Sequence, residues 1–176
     1  MMGIQIGAKP DAGFDDPIGM LKDCHRRIER FLHILWVVAG RAHGQALTAE
    51  ERQAVEAALE YFRVGGQRHN ADEEESLFPR LRGEAGGDGE LSRLEKDHRV
   101  AGELHAEVEA LYGNWIAAGT LSAGDGQKLQ SATEQLKQLY EAHIEVEEGV
   151  VFPRAATALD RVTIAAIGQE LRARRA

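Results

Sequence analysis

The sequence predicts an all-α protein, an up-down-up-down antiparallel four-helix bundle with a short C-terminal fifth helix. Three observations carry that expectation. Apolar residues recur at alternating three- and four-residue steps over four long stretches, the period of a buried helix face. No stretch alternates apolar and polar residues long enough to make a strand. The four stretches are joined by short polar loops, most of them bearing glycine, and short loops make successive helices antiparallel neighbours.

Taken in order, residues 1–15 carry Gly, Pro and Asp without periodicity and read as a flexible N-terminal arm. Asp16 is an N-cap ahead of Pro17 at the first helical position. From there Ile18, Leu21, His25, Ile28, Leu32, Leu35 and Ala39 form one seam, which the stretch from Gly40 to Gly44 ends. Thr48 and Glu51 make a capping box for a second helix. Its seam runs through Val55, Leu59, Phe62, Gly66, His69, Glu73 and Leu77 towards Leu81, and the run GEAGGDG then breaks the chain. The third seam holds Leu91, Leu94, His98, Ala101, His105, Val108, Tyr112 and Trp115, and Gly119 stops it. Ser122 and Asp125 open the fourth, with Leu129, Ala132, Leu136, Leu139, His143, Glu147 and Val150. After Pro153, residues 158–172 form a weaker amphipathic segment, expected to pack outside the bundle. Arg172, Arg174 and Arg175 are expected to complement its C-terminal dipole. The domain reading is an arm over 1–15, a bundle over 16–153 and a helical extension over 154–176.

Composition narrows the function. With 176 residues and 43% hydrophobic content the chain can bury one core. A net charge of −8 and no sustained Lys/Arg block argue against nucleic acid, whose affinity rests on neutralising phosphates. No apolar run approaches the ~18 residues of a membrane span, and the opening residues lack the basic and apolar regions of a signal peptide. A single cysteine, Cys24, suits a reducing compartment and reads as a small buried hydrophobe. The chain is therefore expected to be cytoplasmic.

One phrase is written twice: HNADEEESLFPRL from His69 and HIEVEEGVVFPRA from His143. His25, preceded by KDC, leads His69 by nearly the same spacing as His98, preceded by EKD, leads His143, so one helical hairpin is used twice. At a rise of ~1.5 Å per residue, His25 lies about 12 Å into the first helix and Glu73 about 12 Å from the end of the second. His98 comes about 15 Å into the third, and Glu147 about 8 Å from the end of the fourth. Antiparallel pairing then puts His25, His69, Glu73, His98, His143 and Glu147 at one level of an apolar core. Buried charge must be paired or coordinate a metal. Histidine and glutamate four residues apart share a helix face, so each histidine can hold one ion while its glutamate bridges to a second. Imidazole and carboxylate donors favour iron, manganese or zinc.

These residues carry a resemblance to the hemerythrin-like (HHE) cation-binding proteins over roughly residues 17–153. The motif is the single histidines His25 and His98 plus His69-x-x-x-Glu73-Glu74 and His143-x-x-x-Glu147-Glu148. The resemblance implies a four-helix bundle around a non-haem di-iron centre, two iron ions joined by an oxo or hydroxo bridge and two bridging carboxylates. It implies that His25 and His69 serve one iron, His98 and His143 the other, and that Glu73 and Glu147 bridge. Manganese or zinc are lesser alternatives. The ligand implied is a small oxidant, dioxygen, peroxide or nitric oxide, handled by a sensor, scavenger or iron handler. Two departures argue against reversible oxygen carriage. Gly102 stands where the oxygen carriers have a further histidine, and the second bridging acid is glutamate where theirs is aspartate at a longer spacing.

Two rival readings remain. A ferritin-like carboxylate oxidase needs Glu-x-x-His on two helices, and only Glu95-x-x-His98 fits. A metal-stabilised interaction or regulatory module without redox turnover is the non-enzymatic alternative. Among other polar residues, His33 and His43 fall off the seams and are expected to be exposed. His105 lies about 10 Å along the axis from His98, too far to share the ions, and could act as a proton donor to a pocket. Glu29 reads as a solvated acid, with an extra ligand as the alternative. Glu74 and Glu148 are expected to support ligands by hydrogen bonding or to pair at the surface. Phe62, Leu136 and Leu139 would wall the site, and Gly65 and Gly66 would leave room beside the ions for a small molecule.

Overall fold

The computed structural model describes residues 11–41, 43–83 and 87–176, and every regular element among them is helical. Helix α1 spans Pro17–Ala39; the Asp16 side chain accepts from the Gly19 amide, satisfying one of the free donors of the first turn. Helix α2 starts with the expected reciprocal capping box, Thr48 with Glu51, and continues without a break over 49–81. Within it, two π-helical turns, Phe62–Gly66 and Asp72–Leu77, flank the short α-helical stretch Gln67–Ala71. Helix α3 spans Asp88–Ala118 and stops at Gly119, whose φ of 73° is the left-handed value that favours glycine. Helix α4 covers 123–158, with a third π turn at Glu147–Val151. Helix α5, Arg161–Ala173, is capped by Asp160.

Neighbouring helices run in opposite directions. Late Trp36 of α1 hydrogen-bonds to early Glu134 of α4, while early His25 meets late Glu148. In α2 and α3, Arg63 pairs with Glu109 and the later Glu74 with the earlier His98. The apolar interior divides into two clusters. One contains Ile28, Leu32, Leu59, Phe62, Val108 and Leu136; the other contains Leu21, Leu77, Phe78, Leu94, Val151 and Phe152. A polar layer separates them along the helices: His25 falls between Leu21 and Ile28, His98 between Leu94 and Ala101, and Glu147 between Ile144 and Val151. Ile167 and Leu171 of α5 complete the second cluster, so this helix is part of the core, not an outer appendage.

The π turns explain where the seams depart from expectation. Val150 is 46% exposed and Val151 fully buried, because a π turn takes one residue more than an α turn and slips the face by one. A separate departure lies in the regular α-helix before that turn, where Tyr140 is buried and Leu139 only half-buried. Helix α4 also runs through Pro153 to Ala158. A proline inside a helix lacks a donor and crowds the carbonyl four residues back. Pro79 and Pro153 each stand second after a π turn, so the residues four back lie inside the turn, where the regular bonding is already interrupted.

Of the arm expected over 1–15, residues 1–10 lie outside the described residues. The remainder is tied down: the Ala12 amide donates to Asp23, Asp11 pairs with Arg27, and Phe14 packs on the second cluster. The C-terminal arginines do more than complement a dipole. Arg174 and Arg175 both pair with the buried Asp72, and Arg172 lies over the Phe14 ring. No described helix is long and apolar enough to cross a membrane.

Candidate metal centre

Six side chains fill the polar layer, and all are buried: His25 from α1, His69 and Glu73 from α2, His98 from α3, His143 and Glu147 from α4. They form two groups, His25–His69–Glu73–Glu147 and Glu73–His98–His143–Glu147, in each of which one donor atom per residue lies within 4.8 Å of the others. Both carboxylates belong to both groups. Glu73 turns Oε1 to His69 Nε2 at 3.3 Å and Oε2 to His98 Nε2 at 3.3 Å. Glu147 turns Oε2 to His25 Nε2 at 3.1 Å and Oε1 to His143 Nε2 at 3.2 Å.

These contacts have ion-pair distances without hydrogen-bond geometry. All four carboxylate oxygens and His25 Nε2 lack a hydrogen-bond partner, although burying such atoms unpaired is costly. The atoms gather into these groups without pairing as donor to acceptor, apart from His98 Nε2 and His143 Nε2, which lie 3.1 Å apart. Two donors about 2.1 Å from one ion, at angles between right and tetrahedral, lie about 3.0–3.4 Å apart, which matches the spacings here. The residues therefore fit a pair of cations bridged by two carboxylates.

Within the layer the charges lean on one another. Burial acts to lower His25 and His98, but the carboxylates beside them outweigh it and raise the imidazoles to about 10 and about 9. Burial dominates at His69 and pushes it down to about 4. Burial also acts to raise Glu73, yet His69, His25 and His98 hold it well below the usual carboxylate range. Glu147 is raised by burial and by the Glu73 charge, and lowered more strongly by His143 and His25.

The repeated phrase supplies a surrounding shell. His25 Nδ1 lies 2.8 Å from Glu148 Oε1 and His98 Nδ1 2.7 Å from Glu74 Oε1, so the second glutamate of each phrase orients a histidine of the other hairpin. Phe152 stacks on His25 at 5.4 Å and Phe78 on His98 at 6.4 Å, which gives the repeated Phe-Pro its place. Asp97 Oδ2, missed in the sequence, lies 3.6 Å from His143 Nδ1; its position just before His98 was the available signal.

Other expectations fare unevenly. Glu29 is exposed and paired with Arg26, away from both donor groups. His33 is exposed; His43 is half-buried, its ring on Trp115 and its Nε2 bonded to the Ala39 carbonyl at 2.7 Å. His105 hydrogen-bonds to the Tyr140 hydroxyl at 3.1 Å, packs on Phe62, and is pushed down to about 4 by burial. Tyr140, not Leu139, walls the layer beside His143. The space expected at Gly65 is taken by the Tyr61 ring. Open space occurs at Gly102 instead, where a surface cavity of about 390 Å³ reaches His98, Glu74 and Asn70.

Over 169 residues the chain is 28% identical to an uncharacterized protein of Haemophilus influenzae, covering 93% of this chain and 92% of that protein. Residues 16–162 match the model of the hemerythrin HHE cation-binding domain. That span contains all six side chains of the polar layer, and the chain belongs to the hemerythrin HHE cation-binding domain family.

Proposed function

We propose that this chain holds two non-haem iron ions in the polar layer of an up-down-up-down four-helix bundle and binds or reacts with a small oxidant. The class is dioxygen, peroxide or nitric oxide, and the role that of sensor, scavenger or iron handler. The observation that carries the reading is the sharing of both carboxylates between two four-residue donor groups. His25 and His69 would hold one ion, His98 and His143 the other, with Glu73 and Glu147 spanning both. Bound there, ferrous ions would supply electrons and open coordination positions to the oxidant.

The surrounding residues support that chemistry. Glu148 and Glu74 fix the imidazoles of His25 and His98 by accepting from Nδ1, which turns each Nε2 into the layer, where His98 Nε2 meets His143 Nε2 at 3.1 Å. Leu136, Phe62 and Tyr140 keep water from the layer on one side, and Phe78 and Phe152 on the other. The cavity beside Gly102 offers a small molecule a path from solvent to His98. A single free thiol, Cys24, suits the reducing cytoplasm.

Elemental analysis of protein from iron-replete cells, and after anaerobic iron loading, tests the reading. About two iron ions per chain, with an optical spectrum that changes when the reduced protein meets dioxygen, peroxide or nitric oxide, is the expected result. Protein that stays metal-free or takes one ion overturns it. Tightly held zinc, or iron inert to all three oxidants, selects the metal-stabilised interaction module.

A further inference from the structure

The two copies of the repeated phrase differ in a way that the metal layer does not use. Asp72, Glu75 and Ser76 of the first copy stand where the second has Val146, Gly149 and Val150. All three meet one side chain. Arg174 reaches Asp72 Oδ1 at 3.0 Å, Ser76 Oγ at 2.9 Å and Glu75 Oε2 at 3.2 Å. Arg175 adds contacts to Asp72 Oδ2 at 2.5 Å and Oδ1 at 3.2 Å. Asp72 is fully buried, and a buried carboxylate persists only when paired. Beside this contact Arg80 of α2 forks onto Glu170 of α5 at 2.7 and 3.1 Å. Both arginines lie beyond residue 162, where the family match ends.

Asp72 and Glu73 open the π turn Asp72–Leu77. A π turn is rare and holds one residue more than an α turn, so a return to α-helical bonding would rotate its residues about the helix axis, Glu73 included. The matching turn at Glu147 has a different support: Val146 and Val151 pack into the second apolar cluster. We propose that Arg174 and Arg175 are positioning residues for Glu73. The C-terminal helix is a latch that holds the π turn, and through it the carboxylate, in the geometry that retains metal. The inference rests on the reading of Glu73 as a bridging ligand.

Two variants of the full chain test it. Arg174→Ala with Arg175→Ala removes the latch and leaves Asp72 unpaired. Asp72→Val removes the receptor and installs the residue the second copy carries, which keeps a folded protein available if the first variant unfolds. Arg172→Ala is the control. Amide hydrogen exchange of the metal-free proteins is expected to quicken over 72–77 in both latch variants and to stay unchanged over 147–151. Transfer of iron from the loaded proteins to a chelator is expected to be at least tenfold faster, with helical content and the control variant as in the wild type. Unchanged exchange over 72–77, or iron release at the wild-type rate, overturns the latch. A wild-type chain that holds no iron overturns the functional reading and the latch's role in metal retention together, a result distinct from wild-type retention shared by the variants.

Discussion

His25 Nδ1 lies 2.8 Å from Glu148 Oε1, and the relationship repeats between the two hairpins as His98 Nδ1 to Glu74 Oε1 at 2.7 Å. Each pair crosses between hairpins: a histidine that opens one half leans on the glutamate that follows the ligand phrase of the other. Glu148 is itself held by Arg26. The duplicated Glu-Glu thus splits its work, the first carboxylate turned into the layer and the second fixing the imidazole opposite.

Removing an outer partner of this kind costs a metal site about 10–100-fold in affinity. Glu148→Ala and Glu74→Ala should therefore still bind two ions at saturation, with affinity lowered by about that factor. Competitive titration against a chelator of known strength measures it. Wild-type affinity in both variants would make the two carboxylates surface partners only.

The inner carboxylates should behave differently, because each serves both donor groups. Glu73→Ala or Glu147→Ala is expected to drop the content from about two ions to fewer than one, whereas His33→Ala, on an exposed residue, should leave it unaltered. Elemental analysis after anaerobic loading decides. Equal losses in all three variants would place the ions elsewhere.

Metal that binds only the folded chain stabilises it by about 2.7 kcal/mol at a free concentration 100 times Kd. For a chain of this size, each kcal/mol moves Tm by roughly 2–4 °C. Chelation should then lower Tm by about 5–10 °C for each ion removed. An unchanged midpoint would mean that the layer satisfies itself without metal.

The metal-free protein should also show a stability maximum near its ordinary histidine value. His25 and His98, raised to about 10 and about 9, contribute fully below the unfolded value of about 6.5, and the contribution is lost as pH rises through 9–10. His69 and His105, pushed down to about 4, contribute above about 6.5 and lose that contribution as pH falls towards 4. Melting curves at about pH 5, 6.5 and 9 should peak at the middle value. Iron loading should remove the alkaline decline, since bound imidazoles carry no extra proton. A metal-free protein equally stable at pH 6.5 and 9 contradicts the assignment.

Much of this layer was legible in the sequence because its six polar positions and the core positions follow one period. His25, His69, Glu73, His98, His143 and Glu147 all fall on seams whose other members are mostly buried. The π turns were not legible, since a one-residue slip leaves no mark in a three-four pattern; Val150 and Val151 are equally apolar, and only the backbone selects between them. The pairing of Asp72 with Arg174 and Arg175 joins residues a hundred positions apart, and nothing local announces it. The substitution of Asp72 for Val146 between the two phrases was the visible trace, and it acquires meaning once α5 is seen to pack against that turn.

Gly102 carries the last prediction. It lies one turn beyond His98, is exposed and lines the same cavity, and a Cβ built there meets nothing within 4 Å, so a side chain at this position starts in open space. Replacing a glycine inside a helix should also stabilise α3 by about 0.5 kcal/mol. In the wild type the cavity brings solvent up to the edge of His98, and the layer is short of one imidazole relative to the oxygen carriers. The reduced, iron-loaded wild type is therefore expected to oxidise in air with no oxygen-dependent spectrum that reverses. Gly102→His is expected to slow that oxidation several-fold by closing the cavity and supplying the donor. Stopped-flow spectra of both reduced proteins mixed with dioxygen decide the matter. A wild-type spectrum that fades when oxygen is removed and returns when it is restored would make this chain an oxygen carrier and leave Gly102 without the role argued for it.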